Sequence, residues 1–368
     1  MTLKQTITHN LLNIFGWRTS RHIVVIESDD WGAIRMPSRK VYDNLLNEDY
    51  DLRKNQYERN DSLAMEDDLN ALFEVLLKHK DSVGNHPVIT ANCVVANPDF
   101  EKIKKDNFSR YHHEPITATM QRYKGCEHSF ELWLQGLVNG IFFPQCHGRE
   151  HLNVARWMHV LQAGDVDNLL AFDKGMMGIP PKSNTKVGNI FQVALDDSFY
   201  KGQPLGEILS EALDEFEKLF GYRSRTFIAP CYTWRPSLEK VLFEKGVVGI
   251  QGVVYQRNPE KELIRHWQGT RNGLGQVYTI RNCSFEPTIS NISDDIGECL
   301  YRINCAFRWH KPAVISAHRV NFIGAIHEEN RTKNLRDFDI LLSLIVKMWP
   351  DVEFLNSEQL VNVILSEK

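Results

Sequence analysis

The sequence predicts an α/β fold: a parallel sheet of seven to nine strands, closed or nearly closed into a barrel. Three observations carry that expectation. Strand-like runs alternate with helical patterns along the chain, as in βα units. Several of the runs are continuously apolar, as expected for parallel strands covered on both faces. The number of runs favours a closed barrel over an open sheet.

The elements follow in order. Candidate strands cover 22–28, 87–95, 141–146, 189–195, 225–229, 247–251, 276–281, 313–317 and 352–355. Between them, apolar residues recur at i, i+3, i+4 and i+7 in three clear cases. Leu69, Leu72, Phe73 and Leu76 form one such stripe. Leu209, Ala212, Leu213 and Phe216 form another, extended by Phe220. Phe338, Leu341, Leu342 and Ile345 form the third, with Trp349 after them and Pro350 as the stop. No internal repeat is visible. The segments at 47–68 and 97–140 are polar excursions, so the reading is a single barrel domain over 1–368. The stretch 171–188, rich in Gly and Pro, reads as a loop bordering a cleft.

Composition narrows the function classes. The chain has 368 residues, 42% hydrophobic and 24% charged, enough for a large core without disulfides. A net charge of −4 gives no basic field for nucleic acid. No run of eighteen apolar residues is present, so no membrane partner is expected. The first residues lack the long apolar core of a signal peptide, which makes a cytoplasmic location the expectation. The seven cysteines form no C-x-x-C pair, so neither a zinc ribbon nor a disulfide framework is suggested. Nothing sets the oligomeric state.

Four fragments carry chemistry. Ser28-Asp29-Asp30-Trp31-Gly32 follows the apolar run at 22–28. Neighbouring carboxylates alternate in direction on a strand, so one can anchor a metal while the other takes a proton from water. The same letters also suit a solvated turn. His147-Gly148-Arg149-Glu150-His151 follows Ile141-Phe142-Phe143, and its two histidines can face one ion. His318 ends the run from Ala313, where a histidine can serve as general acid. Thr226 to Ala229 breaks at Pro230 into a loop whose Tyr232 and Trp234 can floor a sugar-sized pocket or simply pack.

Taken in order, these sites resemble the polysaccharide deacetylase superfamily, the NodB-homology or family 4 carbohydrate esterases. The resemblance spans about 23–318. It implies an irregular (β/α) barrel of about seven strands and a metal-dependent hydrolase that deacetylates an acetylated sugar or a related amide or ester. Asp29 then corresponds to the catalytic base. Asp30, His147 and His151 correspond to the ligands of one divalent ion, Zn2+ by donor type. His318 corresponds to the general acid, and the backbone N–H near Tyr232 to the oxyanion donor. Trp31 and Trp234 are the substrate-binding candidates, for a small-molecule or carbohydrate substrate.

The chain departs from that pattern in places. The arginine that orients the catalytic aspartate in the family's third motif is absent, with Ile228 and Ala229 in its region. No acidic residues flank Trp267 where a fourth motif is expected, and the gap from Asp30 to His147 is long. Other readings follow: an inactive carbohydrate-binding relative, a glycosidase on a related barrel, or a zinc peptidase using His147-x-x-Glu150-His151, with Glu150 as base.

Overall fold

The computed structural model describes residues 3–182, 191–200, 204–260 and 262–367. Its main sheet has nine strands, all paired in parallel. They are β1 Ile23–Trp31, β2 Ile89–Cys93, β3 Phe142–Cys146, β4 Thr226–Ile228, β5 Gly249–Gly252, β6 Val277–Ile280, β7 Cys283–Ser284, β8 Ala313–His318 and β9 Glu353–Leu355. The spatial order is β6-β5-β4-β3-β2-β1-β8-β7, with β9 added on the first residues of β1.

The ends of that order meet. Only Arg281 and Asn282 separate β6 from β7, so one segment pairs with β5 on one side and β8 on the other. Arg281 N–H donates to the Gly252 carbonyl, and Asn282 N–H to that of Val314. The result is a closed ring of seven staves, with β6 and β7 forming one of them. The expected barrel is present, and its closure comes from a two-residue strand too short to show periodicity.

Inward-facing positions change character along each stave. On β1 they run Val25, Glu27, Asp29; on β6 and just past it Val277, Thr279, Arg281; on β8 Val314, Ser316, His318. Each series is apolar at the start, polar midway and ionisable at the carboxyl end. The apolar end is plugged by a C-terminal helix, α1 (Ser357–Ser366), capped by Asn356 and Gln359. Its Leu360, Val361 and Ile364 pack on Ile23, Val25, Val277 and Val314. The approach is close: a Cβ on Gly249 would lie 2.5 Å from Val361 Cγ2. The outward faces of the staves carry the larger core against the surrounding helices. Among these helices, Glu66–Leu77, Pro204–Phe220 and Glu328–Met348 bury the three predicted stripes.

Two expectations change. Residues 191–195 are not a strand, and 189–190 lie outside the described residues. The predicted loop starts later than 171, because Val166–Asp173 is helical; 183–188 lie outside the described residues. The excursions acquire structure. The segment 47–68 holds a short helix, Gln56–Asn60, and 97–140 holds most of a small antiparallel pair (Ala96–Pro98 with His113–Pro115) and three helices. No described helix is long and apolar enough to cross a membrane.

Candidate metal centre and its surroundings

The carboxyl ends of the staves surround a cavity of about 240 Å³, lined by Asp29, Asp30, His147, His151, Tyr232 and His318, with Arg35, Tyr57, Gln192, Ala229 and Cys231. Strict alternation would send Asp29 and Asp30 to opposite faces of β1. Asp30 avoids this with φ of +71°, and the register against β2 shifts between Ser28 and Trp31. This bulge turns both carboxylates toward the chamber.

Asp30 meets the two histidines there. Its Oδ1 lies 3.8 Å from His147 Nε2 and 3.4 Å from His151 Nε2, and all three donors are buried. His147 Nδ1–H donates to the Ile228 carbonyl at 2.8 Å, which leaves the Nε2 lone pair free toward Asp30. Burial pushes His151 down to about 3, so its ring is neutral at ordinary pH. One carboxylate and two imidazoles at this spacing match the donor set of a catalytic divalent-metal site with an open position. The residues fit such an ion.

Asp29 sits beside this set, Cα-paired with His318 across β1 and β8. Burial alone would raise its carboxyl, but Arg281 outweighs burial and holds it well below the usual range. The guanidinium is bidentate on Asp29, with Nη1 to Oδ2 at 2.6 Å and Nη2 to Oδ1 at 2.7 Å; its Nε donates to Glu27 at 2.7 Å. Asn92 Nδ2 adds a bond to Asp29 Oδ1 at 2.8 Å.

On the far side of Asp29, His318 Nε2 lies 3.9 Å from Asp29 Oδ2, and its Nδ1–H donates to Glu286 at 2.6 Å. Burial opposes its charge. The Glu286 charge and hydrogen bond, with Asp29 behind them, raise it to about 9. The chamber thus holds an ionised carboxylate and a protonated imidazole within 4 Å of each other, beside the Asp30, His147 and His151 donor set.

Four sequence expectations need correction. Trp31 is 1% exposed, and its indole N–H donates to Ser28. After the bulge it turns outward, edge-on to Trp133 of a surrounding helix and to Phe142 of β3, and does not line the chamber. Trp234 is also buried. It bonds Glu239 and stacks on His266, and it does not line the chamber. Tyr232 does line the chamber, and its hydroxyl accepts from Arg281 at 3.2 Å. Its backbone N–H, however, already donates to Ala229 at 2.9 Å and is not a spare oxyanion donor. Glu150 is clasped by Arg149 at 2.6 and 2.7 Å, and the segment 147–153 is not helical, so the inverted peptidase motif has neither its base nor its helix.

Sequence reading missed Arg281, Glu286, Asn92, Arg35 and Tyr57. Arg281 had a usable signal, since it continues the inward series Val277, Thr279 at period two. Arg35 lies 3.3 Å from Asp30 and from Gln192, and Tyr57 packs edge-on to His318 from the 47–68 excursion. Neither belongs to a periodic pattern.

This chain is similar in structure to polysaccharide deacetylases. A putative polysaccharide deacetylase from Mycobacterium smegmatis is 11% identical, with 96% of this chain and 93% of that chain covered and a TM-score of 0.47. A probable polysaccharide deacetylase from Pseudomonas aeruginosa PAO1 is 8% identical over 95% and 92%, with a TM-score of 0.48. Puue allantoinase is 10% identical over 94% and 91%, also at 0.48. No protein-family model matches the chain, and no curated protein matches it.

Proposed function

We propose that this protein is a divergent member of the polysaccharide deacetylase superfamily: a metal-dependent hydrolase that removes an acyl group from an amide or ester of a sugar or small molecule. One observation carries the reading. A buried Asp-His-His donor set shares one chamber with a carboxylate held ionised by arginine and an imidazole held protonated by glutamate.

Asp30 and the Nε2 atoms of His147 and His151 would hold the ion. When bound, zinc or a similar ion would supply a Lewis acid that polarises a carbonyl and acidifies water. The chain's own residues do the rest. Asp29, ionised and fixed by Arg281 and Asn92, accepts the proton of the attacking water. His318 carries a proton on Nε2 and delivers it to the departing nitrogen or oxygen, while Glu286 holds its Nδ1–H. The oppositely charged pair sets the two pKa values apart, which assigns base and acid.

The absence of the family's orienting arginine favours an inactive relative. Arg281 meets that objection from another strand. The peptidase reading loses its base, because Glu150 is committed to Arg149.

The test is metal content and acyl release together. Purified protein should hold close to one zinc or similar ion per chain. His147→Ala and Asp30→Ala should lose it and lose release of acetate or another short acid. Failure to bind metal after reconstitution with zinc would overturn the proposal.

A further inference from the structure

We infer that the acyl group this site accepts is a short aliphatic chain longer than acetyl, with its tail in a methionine-lined annex of the chamber. The inference rests on the hydrolase reading above. The chamber shares Arg35, Tyr57, His151 and Gln192 with a second cavity of about 60 Å³. Beyond the shared residues, the annex is lined by Ile34, Met36, Leu152, Met176, Met177 and Phe191, all buried, and by Asn55, Glu58 and Gly178. It lies at a seam between two apolar clusters: Met36 and Met176 belong to one, and Ile34, Leu152, Met177 and Phe191 to the other.

The position of the annex decides which part of a substrate it takes. It opens beside His151 and is not lined by Asp29, His147 or His318. The departing atom must come within hydrogen-bond reach of His318 Nε2 to receive its proton. The leaving group therefore belongs on the His318 side of the chamber. The other substituent of the reacting carbonyl, the acyl tail, is directed away from it, past His151. A water-sized group needs roughly 10–15 Å³ of such space, so the annex has room for roughly four heavy atoms. Its three methionines can adapt to an irregular chain.

Calorimetric titration of zinc-loaded protein with acetohydroxamate, butyrohydroxamate and octanohydroxamate tests this without turnover. Two extra methylenes, at about 0.8 kcal/mol each, give butyrohydroxamate about fifteen-fold tighter binding than acetohydroxamate. Octanohydroxamate should gain nothing more. In Met177→Trp the butyro-to-aceto ratio should fall toward one, and in Met177→Ala the optimum should move to a longer chain. A ratio of two ligands on one variant does not depend on how much of the sample is folded. Equal affinities with zinc bound, or a preference for butyrohydroxamate that Met177→Trp leaves intact, would overturn the annex assignment and leave the hydrolase reading standing. Protein that takes up no zinc would fail the metal reading, and this inference with it.

Discussion

Replacing Arg281 with glutamine tests the arrangement at its centre. The guanidinium is 1% exposed and donates to two carboxylates that are themselves buried. Glutamine removes the charge from between them. Asp29 keeps only its bond from Asn92, and Glu27 only its bond from Ser357. Removing one partner of a buried ion pair costs about 3–5 kcal/mol when the other is left without a countercharge, as Glu27 would be; Asp29 retains the His318 imidazolium at 3.9 Å. Glutamine can return one hydrogen bond, so the lower end, about 3 kcal/mol, is expected. The assay is urea denaturation at pH 7.5 with chelator present, for wild type, Arg281→Gln, Asp29→Asn and the double variant. Asp29→Asn leaves Arg281 still paired with Glu27, so the cycle isolates the Arg281–Asp29 term, expected at about 1–3 kcal/mol. A loss below about 1 kcal/mol in Arg281→Gln, with no coupling to Asp29, would refute the assignment of Arg281 as the group that holds Asp29.

Three further outcomes are expected. A general acid works only while protonated, so turnover should fall as pH rises through about 9, the value to which Glu286 raises His318 against the effect of burial. Glu286→Gln should move that limb toward the ordinary imidazole range near ~6.5, and an NMR titration of the His318 ring should move with it; an unmoved limb removes Glu286 from this role. Burial raises Glu58 to about 7, and its Oε2 has no hydrogen-bond partner among the described residues, so the folded chain keeps a proton that the unfolded chain gives up. Stability is therefore lost as pH rises from about 4.3 to 7; Glu58→Gln should exceed wild type by about 1–2 kcal/mol at pH 8 and match it at pH 4.5. Equal stabilities at pH 8 would mean the carboxylate is well solvated. Finally, Gly249→Ala drives a methyl into Val361 and Thr226 under the barrel and should cost about 1–3 kcal/mol in urea denaturation; an unchanged midpoint would mean the plug helix shifts freely.

Much of this was legible in the chain. The long strands announce themselves as apolar runs, and eight of the nine candidate runs overlap strands of the barrel sheet. Asp30, His147, His151 and His318 stand where such runs end, so their convergence follows once the staves are parallel. What escaped has physical reasons. Arg281 meets Asp29 across 252 residues, a separation no local pattern encodes. Glu286 lies past a two-residue strand. The misreading of Trp31 turns on one backbone angle: non-glycine residues rarely take a positive φ, and nothing in Asp-Asp-Trp-Gly announces that Asp30 does. Tyr57 reaches the chamber from an excursion whose composition reads only as polar.

Arg281 also explains why the departure at Ile228 and Ala229 need not empty the site of function. What a buried carboxylate requires is a cation in a fixed orientation; the ends of β1, β3, β4 and β8 line one chamber, and Arg281, just past β6, reaches Asp29 there. A guanidinium reaching in from the end of β6 can do what the resemblance assigns to the loop after β4. The cost is a second countercharge, since one arginine against one aspartate leaves its Nε unmatched. Glu27 fills that place two residues before Asp29 on the same inward face, so both carboxylates address one fork. The fork is what lysine lacks: a point charge can neutralise Asp29 but cannot hold both its oxygens while also holding Glu27. The inward progression from Val25 through Glu27 to Asp29 is therefore one device. The apolar end anchors the plug helix, the middle orients the arginine, and the arginine fixes Asp29, the proposed base, beside the proposed metal ligands.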